Sequence, residues 1–181
     1  MTMAVMEGEL AAKKDSNMHV LLVDDEPDFL VVMSRLLHKY GYRVSEASNG
    51  KRALEIARSE HPDAILLDVM MGDNNGWDVC RTLKSNPDTK SLPIIMLTVM
   101  AEDESVNRSF KYADADWHIT KPFDIDLLFF ILQMASSRDG KPLLEKKIAG
   151  LIKKDRKMKK VLEMINPKLI DRKYDFLAKK K

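Results

Sequence analysis

Short apolar runs alternate with longer amphipathic stretches along the first three quarters of this chain. The longest run covers residues 64–71, Ala-Ile-Leu-Leu-Asp-Val-Met-Met, and its one charged residue is Asp68. Pro62-Asp63 precedes it and a turn-forming stretch from Gly72 to Gly76 follows it. Such a run reads as a buried strand that presents Asp68 near its carboxyl end. Residues 20–23 form a similar run leading into Asp24-Asp25-Glu26, and residues 93–98 form another ending on Thr98. Residues 116–120 predict a short strand before Lys121-Pro122, while residues 42–47 alternate as an edge strand does.

Helical patterns fill the gaps. Pro27 suits a first turn, and Phe29, Leu30, Val32, Met33, Leu36 and Leu37 predict a wide apolar face that stops at Gly41. Asn49-Gly50 leads into a helix carrying Ala53, Leu54, Ile56 and Ala57. Residues 76–83 predict a turn or two, with Trp77, Val79, Cys80 and Leu83 inward. A weakly amphipathic polar helix is expected over 102–112 and an amphipathic one over 123–135. Five strands alternating with five helices predict an α/β, doubly wound parallel sheet. Right-handed crossovers place all carboxyl ends on one edge, so Asp24, Asp25, Asp68, Thr98 and Lys121 are expected to meet there.

That convergence has a chemistry. Three crowded carboxylates need a cation, and a hard divalent ion such as Mg²⁺ takes one or two carboxylates plus waters and phosphate oxygens. Lys121 adds a compact positive charge and Thr98 a hydroxyl. Together they make an aspartyl-phosphate site with Asp68 as nucleophile, working by position and charge neutralisation. No Gly-rich phosphate loop, zinc spacing or Ser/His/Asp arrangement competes with this reading. Trp77, Cys80 and the 12 methionines read as packing residues, and His19, His38 and His61 show no partner pattern.

Charge divides the chain. Residues 138–181 hold 16 Lys/Arg and 6 Asp/Glu, leaving 14 and 22 in residues 1–137, of totals 30 and 28. The shift predicts a tail over 1–17, a core domain over 18–137 and a basic helical extension over 138–181. One cysteine rules out an intrachain disulfide framework, no run is long enough to span a membrane, and a cytoplasmic setting is expected.

Four segments also resemble a family. Val-Leu-Leu-Val-Asp24-Asp25-Glu-Pro, Leu-Leu-Asp68-Val-Met-Met with Gly76 beyond, Ile-Ile-Met-Leu-Thr98 and Lys121-Pro122-Phe123 are similar to the receiver domain of two-component response regulators. The resemblance implies a flavodoxin-like sheet of order 2-1-3-4-5. It implies a phosphoacceptor that assists its own phosphoryl transfer and dephosphorylation, not an enzyme with a separate substrate. Asp68 would accept phosphoryl from a histidine kinase or phosphotransfer protein. Asp25, Asp68 and the Met70 carbonyl would hold Mg²⁺, with Asp24 acting through water. Thr98 and Lys121 would bind phosphoryl oxygens, and Thr98 would report the modification by moving.

The departures from the family matter as well. Gly72 stands where the family usually has proline. The Thr98-to-Lys121 spacing is one residue longer than the family's, so the aromatic switch position falls on His118 counted back from Lys121, or on Trp117 counted forward from Thr98. If it is His118, a ring of near-neutral pKa implies a pH response. Met70 and Met100 occupy positions that tune hydrolysis in the family, and two apolar side chains there imply a long-lived phosphorylated form.

In the extension, Leu144, Ile148, Leu151, Met158, Leu162 and Ile165 form a heptad seam broken by Asp155 and flanked by lysines. Packing against the receiver, self-association as a homodimer, and binding to nucleic acid or an anionic membrane all fit this pattern. The favoured output is a protein contact or dimerisation; the rival is nucleic-acid binding through the basic segment.

Overall fold

The computed structural model describes residues 18–72, 74–100 and 102–135. The expected tail over 1–17 and the basic extension over 138–181, with its heptad seam, lie outside these residues.

Five parallel strands form the sheet: β1 (His19–Val23), β2 (Arg43–Ala47), β3 (Ala64–Asp68), β4 (Ile94–Thr98) and β5 (Trp117–Thr120), ordered β2-β1-β3-β4-β5. Every residue of β1, β3 and β4 is buried, which is why their sequences are continuous apolar runs. The chain passes between strands through α1 (Pro27–Lys39), α2 (Gly50–Glu60), α3 (Gly76–Ser85) and α4 (Asp103–Asn107), and α5 (Ile125–Ala135) closes the fold. On one face, Leu21, Val23, Ile65, Leu67 and Met96 pack with Ile56 of α2 and Cys80 and Leu83 of α3. On the α5 side, Phe129 stacks on Tyr42, the ring centroids 5.7 Å apart.

Several elements differ from the pattern-based expectation. The buried face of α1 is Leu30, Met33, Ser34 and Leu37, whereas Val32 is 63% exposed, because residues 29–37 carry more apolar side chains than one helical face holds. Strand β3 stops at Asp68, and Met70–Met71 instead pair antiparallel with Asn74–Asn75. Helix α3 is ten residues long, beyond the one or two turns expected. Helix α5 begins at Ile125, two residues late, because Asp124 Oδ1 accepts from the amides of Asp126 (2.8 Å) and Leu127 (3.2 Å) and caps it. His19 does have partners: its ring lies between Arg43 (2.7 Å) and Ser45 Oγ (2.8 Å), at the opposite edge of the sheet from Asp68.

The polar helix over 102–112 is the informative deviation. It is α-helical only to Asn107 and continues as a π-helix over Arg108–Tyr112, in which Ala113 N–H donates to the Arg108 carbonyl at 3.1 Å. A bond closing five residues back wraps one more residue into the turn than an α-helical bond does. This turn, which lies between Thr98 and Lys121, therefore holds one residue more than an α-helical turn would.

Candidate functional site

Strand β3 carries Asp68 to the carboxyl edge of the sheet, between β1, which runs into Asp24, and β4, which ends on Thr98. Lys121 follows β5, and its backbone N–H donates to the Thr98 carbonyl at 2.6 Å, so the end of β5 is fastened to the end of β4. From there Lys121 Nζ donates to Asp24 Oδ2 at 2.7 Å and to Asp68 Oδ1 at 2.8 Å. The ammonium also sits 4.0 Å from the Phe29 ring centroid. The remaining carboxylate oxygens are occupied too: Asp68 Oδ2 accepts from Met70 N–H (2.6 Å) and Asp24 Oδ1 from Glu26 N–H (2.9 Å).

Both carboxylates are buried, Asp24 2% and Asp68 4% exposed. Burial pushes the Asp68 carboxyl above its usual range; Lys121 and the Met70 amide oppose this, while the charge of Asp24 adds to it. Burial alone would lower the Lys121 ammonium, but hydrogen bonds and charge from Asp24 and Asp68 outweigh it and hold the pKa raised. Lys121 is therefore a fixed cation at neutral pH.

Asp25 is exposed beside this pair, and its Oδ2 lies 3.5 Å from where a side chain on Gly72 would begin. Gly72 has φ +36°, which proline, held near φ −65°, cannot adopt. The glycine is therefore required by this loop conformation. Thr98 is fully buried, and its hydroxyl accepts from Met100 N–H at 3.0 Å, a local strand-end bond. Met70 is 57% exposed at the rim and Met100 is half-buried.

The available donors are carboxylate and carbonyl oxygens, the set that suits a hard cation. Among the described residues no three His, Cys, Asp or Glu side chains form a ready-made cage. A Mg²⁺ site needs none, since it uses one or two carboxylates and fills the rest with water and phosphate oxygens. The residues fit that ion.

The two candidates for the switch position are neighbours on β5. His118 pairs with Met96 and Trp117 with Ile95, so the two rings lie on opposite faces of β5. The His118 ring is 2% exposed, lies 6.4 Å from Phe110 by centroids, and its Nδ1 is 2.9 Å from Ser109 Oγ. Trp77 Nε1–H donates to the same Ser109 oxygen at 2.9 Å, so Trp77 does more than pack. The Ser109 hydroxyl has two lone pairs and one proton, so it accepts from Trp77 and bonds His118 Nδ1 in either tautomer of the ring. His118 Nε2 has no hydrogen bond of good geometry among the described residues, although the Met100 carbonyl favours ring protonation electrostatically.

Burial brings the His118 pKa down to about 4, so the near-neutral pH response expected of a histidine here does not arise. The linkage lies lower. An unfolded histidine titrates near 6.5, so acidification protonates the unfolded chain first and destabilises the fold. His118 is expected to remove about 3 kcal/mol of stability between pH 7 and 4. Urea midpoints followed across that range check this: His118→Phe should lose that part of the slope, and an unchanged slope would refute the assignment.

Gly76, which closes the Asp68 motif in the sequence, is the first residue of α3. A Cβ on Gly76 would collide with the Asp68 carbonyl oxygen and lie 2.9 Å from Asp68 C and Val69 Cα. The N-terminus of α3 is thus pressed directly onto the backbone of the Asp68 turn, and Gly76 N–H donates to the Val69 carbonyl at 2.9 Å.

Residues 20–133 match the family model for the response regulator receiver domain, more than half of the chain. The chain belongs to this family. Receiver domains of response regulators are phosphorylated by histidine kinases. Protein PilH of Pseudomonas aeruginosa is 33% identical over 60% of this chain and 89% of its own length. A probable cyclic di-GMP phosphodiesterase of Vibrio cholerae is 38% identical over 60% of this chain, but the match spans only 24% of that protein. Among solved structures, the receiver domain of a P. aeruginosa sensor histidine kinase, with magnesium coordinated in its active-site cleft, superposes with a TM-score of 0.59 at 30% identity, covering 64% of this chain and 94% of that one. No helix of the described residues is long and apolar enough to cross a membrane.

Proposed function

We propose that Asp68 is the phosphoacceptor of this receiver. The observation that carries the reading is the buried Asp68–Lys121–Asp24 arrangement at the carboxyl edge of the sheet, with Lys121 Nζ 2.8 Å from Asp68 Oδ1. In the transfer step an Asp68 carboxylate oxygen attacks the phosphorus of a phosphohistidine on a histidine kinase or phosphotransfer protein. The P–O bond forms as the P–N bond breaks, and the imidazole leaves with its electron pair. Lys121 holds the nucleophilic carboxylate in place and neutralises charge that spreads onto the phosphoryl oxygens. Asp25, Asp68 and the Met70 carbonyl would hold Mg²⁺, with Asp24 acting through water; when bound, the ion supplies further charge neutralisation.

Thr98 and His118 carry the change outward. Turning the Thr98 hydroxyl from Met100 N–H to a phosphoryl oxygen frees the start of the loop ahead of α4, and the π-helix that follows α4 is tied to β5 by the His118–Ser109 bond. The output is a contact surface for a partner protein or a second copy of this chain, with Trp117 serving as core on the other face of β5. Intact-mass measurement after incubation with acetyl phosphate and Mg²⁺ tests the assignment. A single phosphoryl adduct absent from Asp68→Asn supports it, and an adduct that persists in the variant refutes it.

Met70 and Met100 leave no polar side chain to orient a hydrolytic water. Phospho-Asp68 is therefore expected to be long-lived, and Met70→Asn with Met100→Glu should hydrolyse at least about tenfold faster, at the low end of what positioned polar groups contribute. Loss of the phosphoryl adduct timed by mass spectrometry checks this. The excess of 16 Lys/Arg over 6 Asp/Glu in residues 138–181 supports the second reading, a nucleic-acid-binding regulator. Heparin retention that falls steeply with salt and vanishes on truncation at Asp139 favours that reading over a protein contact.

A further inference from the structure

Away from the Asp68 edge, unpaired charge gathers where α2, α3 and the π-helix meet. Arg58 of α2, Arg81 of α3 and Arg108 of the π-helix are all exposed there. Arg58 and Arg81 line an open groove of ≈ 500 Å³ with Thr82, Ser85, Asn86 and Pro87, and no acid lines it. The Arg81 guanidinium lies 4.7 Å from the Tyr112 ring centroid. Arg108 lies 5.4 Å from the same ring and 4.4 Å from the Trp77 ring. Asp78, the acid beside this stack, accepts from the Tyr112 hydroxyl at 2.6 Å. Among the described residues none of the three arginines forms an ion pair.

A guanidinium lying on an aromatic face keeps its planar N–H edge free, and stacking has already limited its rotamers. These three arginines sit in a region, residues 1–137, where acids outnumber bases 22 to 14, yet none of them is in an ion pair among the described residues, and Asp78 beside the stack is engaged by the Tyr112 hydroxyl. The groove is open, so it cannot enclose a small molecule as ligand pockets do. Carboxylates on an extended chain match it in charge and shape. We propose that the α2–α3–π-helix face is a docking surface for an acidic peptide segment of a partner protein, with Arg58, Arg81 and Arg108 each taking a carboxylate. This inference does not depend on the role given to Asp68.

The test uses the full chain and a fluorescein-labelled dodeca-glutamate peptide, with affinity read by anisotropy and location by tryptophan emission. Trp77 and Trp117 are both buried, at 4% and 3% exposed, but it is Trp77 that carries a guanidinium on its ring, so an emission change lost in Arg108→Ala reports the Arg108–Trp77 stack. Arg58→Ala/Arg81→Ala/Arg108→Ala, three exposed substitutions, is expected to bind about tenfold more weakly, as the loss of three exposed charge pairs implies. Equal affinity in the wild type and the triple variant would overturn the proposal, because binding would then reside elsewhere in the chain. So would displacement of the peptide by inorganic phosphate at matched ionic strength, which would indicate a small-anion site. Equal, arginine-dependent competition by duplex DNA would reassign the face to nucleic acid and overturn the proposal as well.

Discussion

Replacing Lys121 with methionine is expected to lower phosphoryl transfer to Asp68 by about 100-fold or more, the scale seen when one positioned charge-stabilising donor is removed. Methionine keeps the length of the side chain and its contact with Phe29, so the loss is electrostatic. The same change leaves Asp24 and Asp68 buried, at 2% and 4% exposed, with no cation between them. Breaking a buried pair in this way costs about 3–5 kcal/mol when the orphaned charge cannot escape. Here it can escape by taking up a proton, and the sign of the pH dependence follows. Asp68 is already raised by burial, and without Lys121 it rises further. A carboxyl with a raised folded pKa is penalised at high pH, so the variant should regain stability as pH falls through that pKa. The wild type should lose stability over the lower part of that range through His118. Transfer rates from acetyl phosphate, paired with urea midpoints at several pH values, check both halves. A variant that transfers normally, or whose stability falls in parallel with the wild type, would contradict this account of the Asp24–Lys121–Asp68 bridge.

Much of this geometry is legible in the sequence because parallel strands buried on both faces write themselves as apolar runs. The runs that form β1, β3 and β4 are of this kind, and their polar neighbours Asp24, Asp68 and Thr98 mark the strand ends. Lys121 could be placed at the same edge by topology alone. The π-helix could not be anticipated. Nothing in Arg108-Ser-Phe-Lys-Tyr112 favours an i→i−5 bond locally; what holds it is tertiary, with Ser109 joined to Trp77 and His118 and Tyr112 to Asp78. An extra residue between two motifs signals that something must bulge, but not where. For the same reason sequence spacing left Trp117 and His118 equally eligible, and register on β5 puts them on opposite faces of the strand. Val32 illustrates a different limit: apolar residues outnumbered the positions on one helical face, and packing alone chose among them.

Gly76→Ala is expected to be the most disruptive single-methyl change in the domain, costing about 4 kcal/mol or more, in the range that strain and overpacking reach only at exceptional positions. The added Cβ would overlap the Asp68 carbonyl oxygen, and its next neighbours, Asp68 C and Val69 Cα at 2.9 Å, are also backbone. No side chain can rotate away, so relief requires α3 to lift from the end of β3. That motion breaks the Gly76 N–H to Val69 carbonyl bond and displaces Trp77, one residue on, from Ser109 Oγ. It would therefore reach both the Asp68 turn and the buried hydrogen bond to His118. Two readouts distinguish this local mechanism from general loss of stability. Trp77 emission should shift red at urea concentrations where far-ultraviolet circular dichroism is still native, and phosphoryl transfer should fall under the same native conditions. A variant that unfolds in one step with unaltered Trp77 emission and transfer beforehand would show that the turn accommodates the methyl, and that the close approach of α3 does not position Asp68.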